Sequence, residues 1–263
     1  MTTWDRISWT HFRNLINRYK VVALLPVGSV EQHGPHLPLG TDYILADSIC
    51  SLTAERAKDA GEDLSDLKVL KLPPITYGLS SMWAAYEGTI SVGTEAFAKY
   101  VGDVLRAVVR GGVKYVVIVN GHYGNSDALR LVARDIAEEV GGVIAVITLW
   151  DLIGDVINKL FKTKFFHADE IETSLALALN ISLEGKPSSP EKPFRLYNNF
   201  WHSLDLTVRP KVHVFTKEST SKHGPGAFGR PDHASRSKGE LLLNSAVSRL
   251  IEFIKYLVKS YNT

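Results

Sequence analysis

Five short apolar runs, separated by amphipathic stretches of helical periodicity, constrain the fold of this 263-residue chain more than any other feature. The first is Val21–Val27 (Val-Val-Ala-Leu-Leu-Pro-Val), followed by Val69–Leu72, Lys114–Val119, Gly142–Leu149 and Lys211–Phe215. Short unbroken apolar runs suit strands buried on both faces. Between them, Asp42–Ala60, Thr94–Arg110, Ser126–Val140 and Ile171–Asn180 place apolar residues at helical spacing. Strand alternating with helix predicts an α/β fold with a mainly parallel sheet and helices on both faces. A terminal helix over Ser235–Ser260 carries Leu241, Leu242, Val247, Leu250, Ile251, Ile254 and Leu257 and is expected to pack on that sheet.

The chain reads as one domain over residues 1–263, with no internal repeat. Residues Glu184 to Asn199, broken by Pro187, Pro190 and Pro193, read as a long surface loop or lid. Thirty basic and 28 acidic residues leave a formal charge of +2 spread without blocks, so neither nucleic acid nor an anionic membrane is expected as a partner. The single cysteine, Cys50, cannot form an internal disulfide, which fits a reducing compartment, and it reads as a small core residue. No apolar run reaches the roughly 18–20 residues of a membrane span. The start, Met1-Thr2-Thr3-Trp4-Asp5, lacks a basic region followed by an apolar one, so a cytoplasmic location is expected.

Ligands of open parallel sheets bind beyond the carboxyl ends of the strands, which directs attention to the loops after the apolar runs. The first of these, Gly28 to Asp42, holds Glu31, His33, His36 and Asp42 among glycines and prolines. So many ionisable groups beside a buried strand need partners, and a divalent metal is the simplest common one. Glu31 and His33 alternate, so an extended backbone places them on one face. Asp42 stands at a predicted helix start, where Thr41 or Asp42 also fits the role of N-cap. After the third run, Asn120-Gly121-His122-Tyr123-Gly124-Asn125 puts His122 over the end of the sheet. The third cluster, His167-Ala168-Asp169-Glu170-Ile171-Glu172-Thr173-Ser174, leads into an apolar helix, and its acidic residues are also ordinary complements to a helix dipole. His202, His213, His223 and His233 are left unassigned, although His223, beside Gly224 and Pro225, is placed to line a pocket from the C-terminal side.

Taken together, Glu31-x-His33 with Asp42, Asn-Gly-His-x-x-Asn at 120–125 and His-Ala-x-x-x-Glu-Thr-Ser at 167–174 resemble the motif set of the creatininase (creatinine amidohydrolase) family. Tyr77-Gly78-Leu79-Ser80, Gly88-Thr89-Ile90-Ser91 and the stretch Gly226 to Gly239 extend the resemblance over nearly the whole chain. It implies a three-layer α/β/α sandwich, a homo-oligomer, commonly a hexamer, and one or two divalent ions such as zinc, manganese or iron. By the same matching, Asp42 bridges two ions, Glu31 and His122 ligate one, and His33 ligates the other. The family's histidine and glutamate of the third motif fall on His167 and Glu172. In creatininase itself a glutamate stands two residues after the motif histidine, whereas this chain has Gly124 there. Glu172 is the substitute ligand, with Glu170 the lesser candidate, at the expense of a separate role for Glu172 as base. Family members with glycine at that position include formamidopyrimidine deformylases and peptide-processing enzymes. The aromatic residue that closes over creatinine corresponds to Thr163, which argues against creatinine as the substrate.

Such a site favours hydrolysis of an amide or cyclic amide C–N bond in a small molecule, because a divalent ion lowers the pKa of bound water to about 7 and polarises a carbonyl. His167 is expected to carry a proton to the leaving nitrogen. Ser80, Tyr123 and Trp150 are candidate substrate contacts, with a turn position for Ser80 and a core position for Trp150 as the plain alternatives. A deformylase and a peptide-processing peptidase use the same metal logic. A non-catalytic metal-stabilised assembly protein is disfavoured, since structural zinc sites are typically closed and often cysteine-rich. Two-metal phosphoester hydrolysis lacks a basic phosphate clamp in the motifs.

Overall fold

The computed structural model describes residues 3–59, 66–187 and 224–261, with 201, 203, 205–208, 211–214, 216 and 222. Residue 60, most of the proline-bearing loop (188–199), His202, Phe215 and His223 lie outside the described residues.

Four strands form the centre: β1 (Lys20–Val27), β2 (Leu67–Lys71), β3 (Tyr115–Asn120) and β4 (Val143–Thr148). All neighbours run parallel, in the order β2-β1-β3-β4. Among the described residues of the expected fifth strand, 211–214 are exposed and carry no strand. There Val212 and Val214 alternate with Lys211 and His213, so the segment lacks the unbroken apolar character that buries β1 and β3 on both faces.

Among the described residues, seven α-helices surround the sheet: α1 (Trp9–Arg18), α2 (Thr41–Arg56), α3 (Thr94–Arg110), α4 (Ser126–Val140), α5 (Leu149–Leu160), α6 (Glu170–Ala178) and α7 (Arg236–Ser260). Alternation along the strands sorts them into two layers. Val22 and Leu24 of β1 and Val117 and Val119 of β3 face α2, α5, α6 and α7. Ala23, Leu25, Val116 and Ile118 face α1, α3 and α4. The result is the three-layer α/β/α sandwich. None of the described helices is long and apolar enough to cross a membrane.

Two helices go beyond the periodicity reading. Helix α1 starts at Ser8, whose Oγ accepts the His11 N–H at 3.2 Å, and packs Phe12, Leu15 and Ile16 on the second core. Helix α5 follows β4 without a loop, so the apolar run Gly142–Leu149 blends strand into helix. Its buried residues Leu149, Trp150, Ile153 and Ile157 recur at helical spacing only when the strand is ended at Thr148.

Helices α6 and α7 pack closely because α7 has a glycine at the crossing. A Cβ on Gly239 would run into the Ser174 carbonyl and lie 2.9 Å from the Ala178 Cβ. Alanine is favoured over glycine by about 1 kcal/mol in a helix interior, whereas overpacking costs about 1–3 kcal/mol. Gly239→Ala is therefore expected to lower the urea midpoint at unchanged m-value. A midpoint at or above wild type would mean that α6 and α7 separate freely.

A candidate metal centre at the carboxyl edge of the sheet

The strand order changes direction between β1 and β3, which opens a crevice beyond their carboxyl ends. The loop after β1 brings Glu31 and His33 to this crevice, and the turn after β3 brings His122. Asp42 comes from the first turn of α2. That turn rests directly on both strand ends, where a Cβ on Gly28 would strike the backbone of Tyr43 and one on Gly121 the carbonyl of Asp42. Helix α6 supplies Glu172, and the turn before it supplies His167. All six residues are between 0 and 8% exposed.

Ligand-type atoms of Glu31, Asp42 and His122 lie within 4.8 Å of one another, as do those of His33, Asp42 and Glu172. Asp42 belongs to both triads. A third group, Glu31, His33 and His167, overlaps them. His122 Nδ1 lies 3.3 Å from Glu31 Oε1 and 3.1 Å from Asp42 Oδ2. On the other side, His33 Nε2 is 3.2 Å from Asp42 Oδ1 and 3.9 Å from Glu172 Oε2.

Each imidazole is oriented from behind by a backbone carbonyl. His33 Nδ1–H donates to Glu31 O at 3.0 Å, His122 Nε2–H to Leu79 O at 3.1 Å, and His167 Nε2–H to Gln32 O at 2.7 Å. These bonds set the tautomer and leave the other ring nitrogen of each facing the carboxylates, as metal-ligating histidines require. His167 Nδ1 lies 3.8 Å from Glu31 Oε1.

Among the described residues, five buried side-chain atoms have no hydrogen-bond partner, and three of them are Glu31 Oε1 and Oε2 and Asp42 Oδ2. Buried carboxylate oxygens left in that state are costly unless a cation meets them. A set of three carboxylates and three imidazoles is a good match for zinc, manganese or iron. The titration behaviour of the protein alone points the same way. Burial disfavours charge on the His33 imidazole, yet the carboxylates of Asp42, Glu172 and Glu31 outweigh it and hold its pKa at about 10. His122 is likewise raised well above its ordinary value, with burial opposed by Glu31 and Asp42. Asp42 is lowered, its burial overcome by His33 and His122. Burial raises Glu172 to about 8, helped by Asp169 and Asp42 and opposed by His33. His167, buried beside His33, is pushed well below its ordinary value.

The acidic residues of the third motif part company. Asp169 is the N-cap of α6, its Oδ1 accepting from Ile171 N–H at 2.8 Å and Glu172 N–H at 3.4 Å. Glu170 points the other way, to Lys238 of α7 and to the Thr163 hydroxyl at 2.7 Å. Glu172 alone enters the cluster, fixed by the Ala168 N–H at 2.5 Å, and Ala168 has a left-handed φ of 46°.

The three candidate substrate contacts are placed as follows. Ser80 is fully buried and shares a hydrogen bond with Ser29. Trp150 is a core residue whose Nε1–H donates to the Gly121 carbonyl at 3.1 Å, bracing the turn that carries His122. Tyr123 is half-buried against the α2-side core. Three structural residues were not anticipated. Gln32 clasps Gly34 N–H at 2.9 Å and Gly226 O at 3.1 Å through its side chain. Asn125 ties Gly28 O at 3.0 Å to Leu79 N–H at 2.9 Å. Trp83 stacks on His167. Gln32 and Asn125 stand inside the motifs and were legible there as polar residues without a role. His36 sits behind the cluster with Nε2 on Thr173 Oγ1 at 2.8 Å; burial first, then His33, lowers its pKa to about 4. His213 and His233 are exposed.

The fold is thus a parallel three-layer α/β/α sandwich with a buried carboxylate–histidine cluster, able to hold a metal ion, at its switch point. The sequence profile of the Creatininase family, creatinine amidohydrolase, matches residues 5–254, and the chain belongs to that family. Creatinine amidohydrolase of Pseudomonas putida is 27% identical over 269 aligned positions, covering 95% of this chain and 94% of the relative. A mycofactocin precursor peptide peptidase of Mycolicibacterium smegmatis is 37% identical over 108 residues, 41% of this chain and 42% of that protein. The solved structure of a manganese creatininase superposes with a TM-score of 0.76 at 26% identity, covering 97% of this chain and 98% of the other.

Two outcomes are expected. The raised pKa values of His33, His122 and Glu172 favour their protonated forms in the ion-free cluster, so binding of a divalent ion there is expected to release protons and to strengthen as pH rises. Titration calorimetry in buffers of different ionisation enthalpy reads this release; a binding enthalpy independent of buffer would place the ion elsewhere. At position 124, a Cβ would lie 2.6 Å from His122 Nε2 and 2.8 Å from Leu79 O. Gly124→Glu is therefore expected to weaken ion binding roughly 10- to 100-fold by breaking the bond that orients His122, and affinity equal to or above wild type would contradict this.

Proposed function

We propose that the chain is a divalent-metal-dependent amidohydrolase that cleaves a C–N bond in a small molecule. The observation that carries this reading is the sharing of Asp42 between two buried ligand triads. Glu31, Asp42 and His122 would hold one ion, and His33, Asp42 and Glu172 the other. Divalent ions supply such a site with Lewis acidity toward a carbonyl and a lowered pKa for water, to about 7.

The protein's own groups do the rest. His167 has the geometry of a proton carrier: with Nε2–H committed to the Gln32 carbonyl, its unprotonated Nδ1 faces the cluster. It takes a proton at Nδ1 and returns it to the leaving nitrogen, a role worth about 10²–10⁴ in rate. The aromatic side chains of Trp83, Phe166 and Phe228 pack around its outer side and exclude water.

Creatinine is not the substrate we favour, because Thr163 binds Glu170 and offers no aromatic face to the site. A peptide-processing activity is the second reading, favoured by the higher local identity to a peptide peptidase.

Stripping divalent ions with a chelator should abolish hydrolysis across a panel of cyclic amides, formamides and short peptides, with recovery on adding zinc or manganese. Asp42→Asn should lose both ions together. His167→Ala should keep them while turnover falls about 10²–10⁴-fold. Loss of ions in His167→Ala, or hydrolysis that survives chelation, would overturn the assignment.

A further inference from the structure

Trp83 has no part in either ligand triad, yet it makes the closest ring contact to the proton carrier. Its indole stacks on the His167 imidazole with centroids 4.1 Å apart and planes 17° from parallel. The indole is itself enclosed, 3% exposed, by Phe166 at 6.0 Å, Phe228 at 5.8 Å and Tyr86 at 6.2 Å.

The backbone that carries it is also pinned. Leu79 O accepts from His122, Ser80 N–H donates to Ser91 Oγ at 2.9 Å, and Trp83 N–H donates to Ser80 O at 2.9 Å. One short segment, 79–83, therefore touches two of the three cluster histidines: a carbonyl holds His122 and an indole covers His167. Phe228 joins the same arrangement, its N–H donating to the His167 carbonyl at 3.1 Å.

The hydrogen bond from His167 Nε2–H to Gln32 fixes one point of the ring and leaves rotation about the N–H···O line. A parallel aromatic plane removes that rotation, because tilting the imidazole would drive its edge into the indole face. Stacked aromatic pairs add about 0.5–1.5 kcal/mol beyond the area they bury. A proton carrier depends on such restraint, since a misplacement of about 1 Å costs on the order of 10²-fold in rate.

We propose that Trp83 is a positioning residue for His167: its indole, locked among Phe166, Phe228 and Tyr86, fixes the imidazole plane that turns Nδ1 toward the carboxylate cluster. This rests on the reading of His167 as the proton carrier.

The test combines a spectroscopic and a kinetic readout on the zinc-loaded protein. In ¹³C-histidine-labelled protein the His167 ring protons, assigned by their loss in His167→Asn, should lie upfield under the indole ring current. Trp83→Leu should move that signal downfield, leave the other cluster histidines in place and keep wild-type zinc content. For the panel substrate that wild type turns over fastest, kcat should fall about 10- to 100-fold while KM changes less than about threefold. Trp83→Phe, which keeps an aromatic plane, should recover most of kcat, and it carries the same comparison if Trp83→Leu does not fold. An unmoved His167 signal, a moved signal with wild-type kcat, loss of zinc, or a rise in KM alone would each overturn the proposal. If wild type hydrolyses nothing in the panel, the proposed function fails, and the His167 signal still decides whether the indole sets the ring.

Discussion

Three carboxylates buried within a few ångströms of one another are the constraint around which this molecule is arranged. Removing an ion from water costs several kcal/mol even after relaxation, and Glu31, Asp42 and Glu172 are each at most 2% exposed. They come from three separate elements: a loop after β1, the first turn of α2 and the first turn of α6. The helix N-termini help, since carboxylates there meet the positive end of the macrodipole. That contribution is small beside the desolvation of the buried carboxylates, whose counter-charge without an ion comes from the raised imidazoles of His33 and His122, the groups a divalent cation would relieve of that task. Two glycines make the geometry possible, because α2 seats its first turn on the ends of β1 and β3 only where Gly28 and Gly121 lack a Cβ.

The histidines follow a common rule. His33, His122 and His167 each spend one ring nitrogen on a backbone carbonyl, so the other is presented to the carboxylates in a defined tautomer. The carbonyls belong to Glu31, Leu79 and Gln32, and those residues are tied down in turn. Asn125 bonds Leu79 and Gly28, Gln32 clasps Gly34 and Gly226, and Trp150 braces Gly121. Orientation of the cluster is thus maintained by a second layer of main-chain and amide groups, the usual way in which a metal-type site is held within narrow tolerances.

Under the proposed assignment, Glu172 stands in for the glutamate that the resemblance to creatininase places at Gly124. The backbone there is pressed against the His122–Leu79 hydrogen bond, so that place has no room for a side chain in this conformation. Glu172 reaches the cluster from α6, held by the N–H of Ala168 in a left-handed turn. A non-glycine residue with positive φ beside a functional cluster is where local strain tends to be stored. Asp169 caps the helix so that Glu172 is aimed, and Glu170 anchors the same turn to Lys238 of α7.

The amino-acid sequence alone determined the α/β class, four of the strands, most of the helices and the residues that gather at the cluster. Unbroken apolar runs and 3.6-residue periodicity are local properties, and the motif loops hold more ionisable residues than a loop otherwise tolerates. Residues 211–214 form no strand because a short valine-rich run has no strand character unless a sheet edge is there to pair with it, and α5 is hard to see in the sequence because apolar residues run across its junction with β4. What the tertiary structure decided was the division of labour within each motif. Asp169, Glu170 and Glu172 are equally acidic in sequence, and only the course of α6 between the cluster and α7 sends them to a cap, a lysine and the site. The place of Trp150 behind Gly121 and of Trp83 against His167 likewise depends on contacts between residues 29 and 84 positions apart. Such contacts follow from how the layers close and leave no periodic trace along the chain.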